Sequence, residues 1–211
     1  MPTVWFIRHA ECETNVGLPT ADATTAQLTL RGIKQAEQIA SALPRCPDLI
    51  ISSSYLRAKQ TAEYTRQRFP HAPLEEWQVH EFTYLSQSVS GRSTTIDERR
   101  TLVDEYWSRL DQHYTDGNGA ESFTNLMKRV RGILEQLKNT DAEFIVIFSH
   151  GQFILAILSW LFGLNINNME QFRHFLLANK IPNGAIVKVA LQQQDAWVSQ
   201  FITAHLHTIE E

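Results

Sequence analysis

Two histidines each follow a short apolar run directly. His9 comes after Val4-Trp5-Phe6-Ile7-Arg8, and His150 after Phe144-Ile145-Val146-Ile147-Phe148-Ser149. Runs of this length, rich in β-branched residues, read as buried strands. Charged or titratable residues at the end of a buried strand need a partner or a ligand, and in open α/β sheets ligands bind at the carboxyl ends of the strands. Arg8 adjoins the first histidine, and Arg57 follows the serine run Ser52-Ser53-Ser54. Neutral imidazole can act as a nucleophile, and guanidinium forks match phosphate oxygens. The combination admits phosphoryl transfer, which needs an in-line nucleophile and positive charge around the phosphoryl oxygens. Two other chemistries for phosphoryl transfer are closed. A Cys-x5-Arg loop would require Arg at position 18 or 52, where Leu18 and Ser52 stand, and the chain has no Asp-x-Asp pair.

The positioning elements follow from pattern. Residues 16–27 are rich in Thr and Ala, include Gly17 and Pro19, and read as a loop. Thr29 is placed to cap a helix whose apolar positions Ile33, Ala36, Ile39, Ala40 and Leu43 share one face until Pro44 stops it. Gly32 in that helix suits close packing on a sheet. Asp48–Ser52 reads as the second strand. The serine run offers an N-cap for a helix reaching about Phe69, with Arg57 in its first turn. Ser122 begins a helix with the stripe Phe123, Leu126, Met127, Val130, Ile133, Leu134 and Leu137. Phe153 to Phe162 reads as a buried helix, too short to span a membrane. Ile186–Leu191 and Ala196–Phe201 read as a closing hairpin turning at 192–195. Between about residues 70 and 120 the pattern is irregular, with a helix near Ile96–His113. An insertion of this length is expected to serve the site as a cover. Trp77, Phe82, Tyr84 and Trp107 lie in it, chiefly to pack it on the core.

Composition narrows the classes further. The 211 residues suit one domain, and 43% hydrophobic with 20% charged residues is ordinary for a soluble protein. A net charge of −4 argues against a nucleic-acid partner. The first residues show no signal-peptide pattern, and Cys12 and Cys46 make no disulfide framework, so the expected location is cytoplasmic, without membrane attachment. No metal-ligand cluster and no Gly-x-x-x-x-Gly-Lys loop is present, so no metal or other cofactor is expected. His205 and His207, one residue apart, lie in a polar tail and are not read as metal ligands.

Five stretches in order resemble the histidine phosphatase superfamily, which includes the phosphoglycerate mutases. They are Arg8-His9-Ala10-Glu11 with Asn15, Leu28–Ala36, Ser52–Ala62, Gly119–Phe123 and Ser149-His150-Gly151. The resemblance runs from residue 4 to about residue 190. It implies one α/β domain over 1–211, a three-layer α/β/α sandwich with a central, mostly parallel sheet of the phosphoglycerate mutase type. It implies a metal-independent phosphatase that hydrolyses phosphate monoesters through a phosphohistidine on His9. His150 would be the second catalytic histidine, and Arg8, Asn15, Arg57, His150 and Gly151 the phosphate-binding set. The substrate would be a small-molecule phosphate ester, with a phosphoprotein as a further substrate class. Two positions depart from the family pattern: Ala10 stands where Gly is usual, and Cys12 where Thr or Ser is usual, so no phosphate contact is carried over to Cys12.

A leaving alkoxide needs a general acid. The resemblance places a carboxylic acid after the Arg57 helix, where Glu75, Glu76 and Glu81 stand. Glu75 and Glu76 read as a solvated pair ahead of a short strand. Glu81, in Trp77-Gln78-Val79-His80-Glu81-Phe82, is preferred because an apolar setting there would keep it protonated. Two alternatives stay open. One is mutase-type transfer, for which only Arg92, Arg99 and Arg100 stand in the insertion as loose substrate-binding candidates. The other is a non-catalytic binder of phosphorylated ligands.

Overall fold

In the computed structural model, which describes residues 2–19, 22–86, 98–164, 168–191 and 196–206, the apolar runs form the middle of one sheet. Its strands are β1 (Thr3–Arg8), β2 (Leu49–Ser52), β3 (Leu74–Glu76), β4 (Phe144–Ser149), β5 (Ile186–Leu191) and β6 (Ala196–Val198), in the order β3-β2-β4-β1-β5-β6. β3, β2, β4 and β1 are mutually parallel, and β5 and β6 add antiparallel pairings at one side. Strands buried on both faces lose the usual alternation of polar and apolar residues. Alternation survives as a division of labour between two cores. Val4 and Phe6 of β1 and Ile145 and Ile147 of β4 face one cluster, while Trp5, Ile7, Val146 and Phe148 face the other.

Six helices among the described residues complete the fold: α1 (Leu30–Ala42), α2 (Leu56–Arg68), α3 (Arg100–Ser108), α4 (Phe123–Lys138), α5 (Gly151–Leu161) and α6 (Met169–Ala178). α1 and α2 contribute Ile39, Ala58 and Ala62 to the second cluster. α4 and α5 cover the opposite face with the predicted stripe from Phe123 to Leu137 and with Phe153 to Leu158. The result is the three-layer α/β/α arrangement. No helix among the described residues is long and apolar enough to cross a membrane.

The central consequence is topological. β1 and β4 are neighbours in register, Arg8 opposite Ser149, and the chain leaves them toward opposite faces of the sheet. His9 N–H donates to Ser149 O at 2.9 Å, one step past the register. A crevice at such a switch point is the general ligand site of open α/β sheets.

Several local expectations are corrected. The serine run does not cap α2: the capping position is Tyr55, without a side-chain cap bond, and Ser53 Oγ instead accepts from Tyr55 N–H at 3.2 Å. Glu75 and Glu76 lie inside the short strand β3, not ahead of one, and Trp77–Phe82 is irregular backbone. The insertion helix is shorter than expected, Arg100–Ser108, and the hairpin's second strand ends at Val198. The 192–195 turn, Arg92 and His207 lie outside the described residues. Phe82 and Trp107 are buried, and Trp77 and Tyr84 pack against the first cluster.

Gly32 has a purpose other than the sheet packing expected of it. Thr29 caps α1 by accepting from Gly32 N–H, and Thr29 N–H donates to Glu11 O at 3.1 Å. Gln35 Oε1 accepts from Glu11 N–H at 2.8 Å. The head of α1 thus clasps the backbone just after His9, and a Cβ at position 32 would lie 1.9 Å from Glu11 O. Gly to Ala inside a helix ordinarily stabilises by about 1 kcal/mol. Here Gly32→Ala is expected to destabilise by about 2 kcal/mol or more, because the obstacle is backbone. Urea unfolding of the two proteins checks the sign, and a stabilised variant would contradict this contact.

Candidate active site

Arg57 holds the site together. It stands on the first turn of α2, immediately beyond the carboxyl end of β2, and is 6% exposed. Its Nε donates to His9 Nε2 at 3.0 Å, and its Nη2 donates to His150 Nδ1 at 3.0 Å. Nη1 donates to Ala23 O at 2.5 Å, tying down the loop after β1. Arginine has donors only, so both contacted ring nitrogens are acceptors. His9 therefore carries its proton on Nδ1, which donates to Ala10 O at 2.8 Å. His150 carries its proton on Nε2, which donates to Ser53 Oγ at 2.8 Å. The two rings lie 5.1 Å apart, centroid to centroid.

Both imidazoles are held neutral. Burial pushes the His9 pKa well below its ordinary value, and the cations Arg57 and Arg8 push it the same way. Burial is also the main cause at His150, followed by Arg57. His80 is lowered to about 4, by burial and by Arg129. His9 thus presents a neutral nitrogen, Nε2, with its lone pair directed at a guanidinium.

Arg8 reaches the same place from β1. Its Nη1 donates to Ile181 O at 2.5 Å, while its Nε is buried and has no hydrogen-bond partner among the described residues. Gly151 lies against that nitrogen, where a Cβ would be 3.6 Å away. Asn15 is more exposed and caps a short 3-10 turn, Glu13–Val16. Its Oδ1 accepts from Cys12 N–H at 3.1 Å, from Cys12 Sγ at 3.1 Å and from Asn183 Nδ2 at 2.9 Å. The Cys12 thiol thus keeps a capping task that a hydroxyl could also perform.

Of the three carboxylates considered, only Glu81 lines the cavity beside Arg57. Glu76 pairs with Lys59 at 2.6 Å on the surface, and Glu75 accepts from Trp77 Nε1. The setting of Glu81 is polar, contrary to the apolar one expected. It accepts from its neighbour Phe82 N–H at 3.0 Å, and from Gln152 N–H at 3.1 Å and Phe153 N–H at 3.2 Å at the head of α5. Those helix-end donors have no partner within the helix, so a carboxylate is a natural acceptor for them.

Sequence reasoning missed Arg129. This residue of α4 forms a two-pronged ion pair with Glu121, at 3.0 and 2.7 Å, in which both side chains are largely buried. Its Nη1 donates to Gln78 O at 3.0 Å and His80 O at 2.8 Å, so it grips the irregular segment that carries Glu81. The available signal is Glu121 inside the Gly119–Phe123 stretch, an acidic residue whose burial calls for a basic partner. Arg99, one of the loose candidates, lines the cavity, while Arg100 is exposed at the start of α3.

Comparisons with known proteins bear on the family and the fold. The sequence model of the histidine phosphatase superfamily (branch 1) matches residues 4–202. The adenosylcobalamin/alpha-ribazole phosphatase of Escherichia coli K12 is 26% identical over 176 residues, 81% of this chain and 84% of that protein. Among solved structures, the alpha-ribazole phosphatase of Shigella flexneri superposes with a TM-score of 0.75 at 21% identity, covering 99% of this chain and all of that one. The phosphoserine phosphatase of Entamoeba histolytica, in complex with 3-phosphoglyceric acid, gives 0.74 at 22% identity, over 98% of this chain and 100% of that one. At these identities the structural likenesses establish the fold.

The depressed histidines make a stability prediction. An unfolded histidine titrates near 6.5. Below that pH the unfolded chain binds protons that His9 and His150 refuse when folded, so stability falls as pH falls from about 6.5. His80 extends the loss toward its folded value of about 4. Denaturant unfolding between pH 7.5 and 5.5 should show this decline. The decline should be shallower in a His9→Asn/His150→Gln variant, and an unchanged slope there would show that neither ring is buried neutral.

Proposed function

The chain belongs to the histidine phosphatase superfamily (branch 1), and from that premise we propose that it hydrolyses small phosphate monoesters with His9 as the nucleophile. The observation that carries this reading is the Nε2 lone pair of a buried, neutral His9, fixed by the Nδ1 bond to Ala10 O and facing the Arg57 guanidinium. When a phosphoryl group enters, its oxygens become the better acceptors for Arg57. The guanidinium then turns from His9 Nε2 to the substrate, and the lone pair is free to attack phosphorus.

In the first step the Nε2–P bond forms as the P–O(alcohol) bond breaks. Arg8 and Arg57 carry the charge on the phosphoryl oxygens, with the Gly151 N–H at the head of α5 as a further donor. Asn15 completes the phosphate cradle, and His150 joins it once Arg57 has turned to the substrate and the anion has drawn a proton onto its Nδ1. Glu81 enters this step as the carboxylic acid, its Oε1 kept by the backbone N–H groups, and gives a proton from Oε2 to the departing alcohol oxygen. In the second step water attacks the phosphohistidine, Glu81 takes back a proton, and inorganic phosphate leaves with His9 restored. Arg129 and Glu121 position Glu81 without touching the substrate. The whole chain acts as one domain in this reading, and the insertion covers the site with the wall that includes Phe82, Tyr84 and Val103. The assigned location is the cytoplasm, in keeping with the free thiols of Cys12 and Cys46.

Rapid quench with a labelled monoester should trap an acid-labile, base-stable phosphoenzyme. The label should be absent from His9→Ala, whose turnover is expected to fall by roughly a thousandfold or more. Label on serine or aspartate would refute the assignment. Glu81→Gln should slow an alkyl ester by about 10²–10⁴-fold and an aryl ester with a good leaving group much less. Equal losses on both esters would remove Glu81 as the acid. Arg129→Met should reproduce the Glu81→Gln pattern in weaker form, more severe on alkyl than on aryl esters, because it loosens the segment bearing the acid.

A further inference from the structure

The cavity beside Arg57 has a mixed lining among the described residues. Arg57, Glu81, Gln152 and several Thr and Ser residues share it with an apolar wall of Tyr55, Phe82, Tyr84, Leu85 and Val103. Its volume of about 310 Å³ is at the small end of the range for ligand sites, roughly 300–1,000 Å³. The wall is braced from behind. The Tyr84 ring lies 5.2 Å from that of Phe82, 4.7 Å from Tyr106 and 5.6 Å from Trp107. A braced aromatic wall gains by covering an apolar group and gives little hydrogen bonding to a hydroxylated one.

We infer that the preferred substrates are monophosphates of alcohols bearing one apolar ring or a short branched chain, held by the Phe82–Tyr84–Val103 wall. This rests on the phosphatase reading and narrows it to esters whose alcohol carries apolar surface.

The test compares esters whose alcohols have similar acidity, so that leaving-group chemistry does not decide the result. With the full chain, kcat/KM for 2-phenylethyl phosphate should exceed that for 2-hydroxyethyl phosphate by about tenfold or more, mainly through KM. Val103→Ser and Leu85→Ser should each reduce the ratio between the two esters severalfold. Because the ratio is taken on one preparation, partial misfolding of a variant leaves it unaffected. Equal efficiency on the two esters, or an unchanged ratio in both variants, would overturn the inference while leaving the phosphatase reading intact. Absence of both phosphate release and His9 labelling with either ester would instead overturn that reading, and the inference with it.

Discussion

A buried guanidinium shared by two imidazoles is the interaction on which this site depends. Placing a cation in the interior is costly unless its donors are satisfied, and Arg57 meets that demand with His9 Nε2, His150 Nδ1 and Ala23 O. All three partners are uncharged. Each guanidinium nitrogen has a partner, yet the positive charge stays uncancelled at close range, which suits a visiting dianion. The same bonds choose the protonation pattern. A lysine could supply the charge, but its single nitrogen could not hold two rings and a loop carbonyl in fixed directions. The fold serves this one residue: β2 delivers it beside β4, and the parallel register of β1 with β4 brings both histidines within its reach.

That much was legible in the sequence, for a physical reason. His9, His150, Arg8 and Arg57 each follow an apolar run or open a helix, so local pattern locates them. The resemblance of the stretches that carry them, more than the side chains alone, then marks them as site candidates. The helices with clear periodicity, from Thr29 and from Ser122, begin where their caps stand. What escaped depends on contacts between distant segments. Glu81 lies 71 residues from the Gln152 N–H it accepts, and Arg129 lies 49 from the His80 carbonyl it grips. Nothing in the neighbourhood of Glu81 indicates that a helix head will sit against it, so a run of apolar neighbours suggested the wrong environment. The serine run failed as a cap for a similar reason: Ser53 is spent on His150, 97 residues away.

The head of α5 shows why these distant contacts are needed. A helix apolar nearly all round must be buried, and burial carries its first N–H groups into the interior, where each requires an acceptor. Glu81 takes those of Gln152 and Phe153, while Gly151, ahead of both, lies beside Arg8 Nε. One helix terminus thereby holds Glu81 and lies against Arg8 at once, which sets the spacing between that carboxylate and that guanidinium. The segment bearing Glu81 has no regular structure to keep that spacing, and Arg129 supplies the missing stiffness by bonding to the carbonyls of Gln78 and His80. A buried arginine without a carboxylate would leave an uncompensated charge in the interior, and Glu121 removes that penalty while Nη1 of Arg129 stays on the two carbonyls.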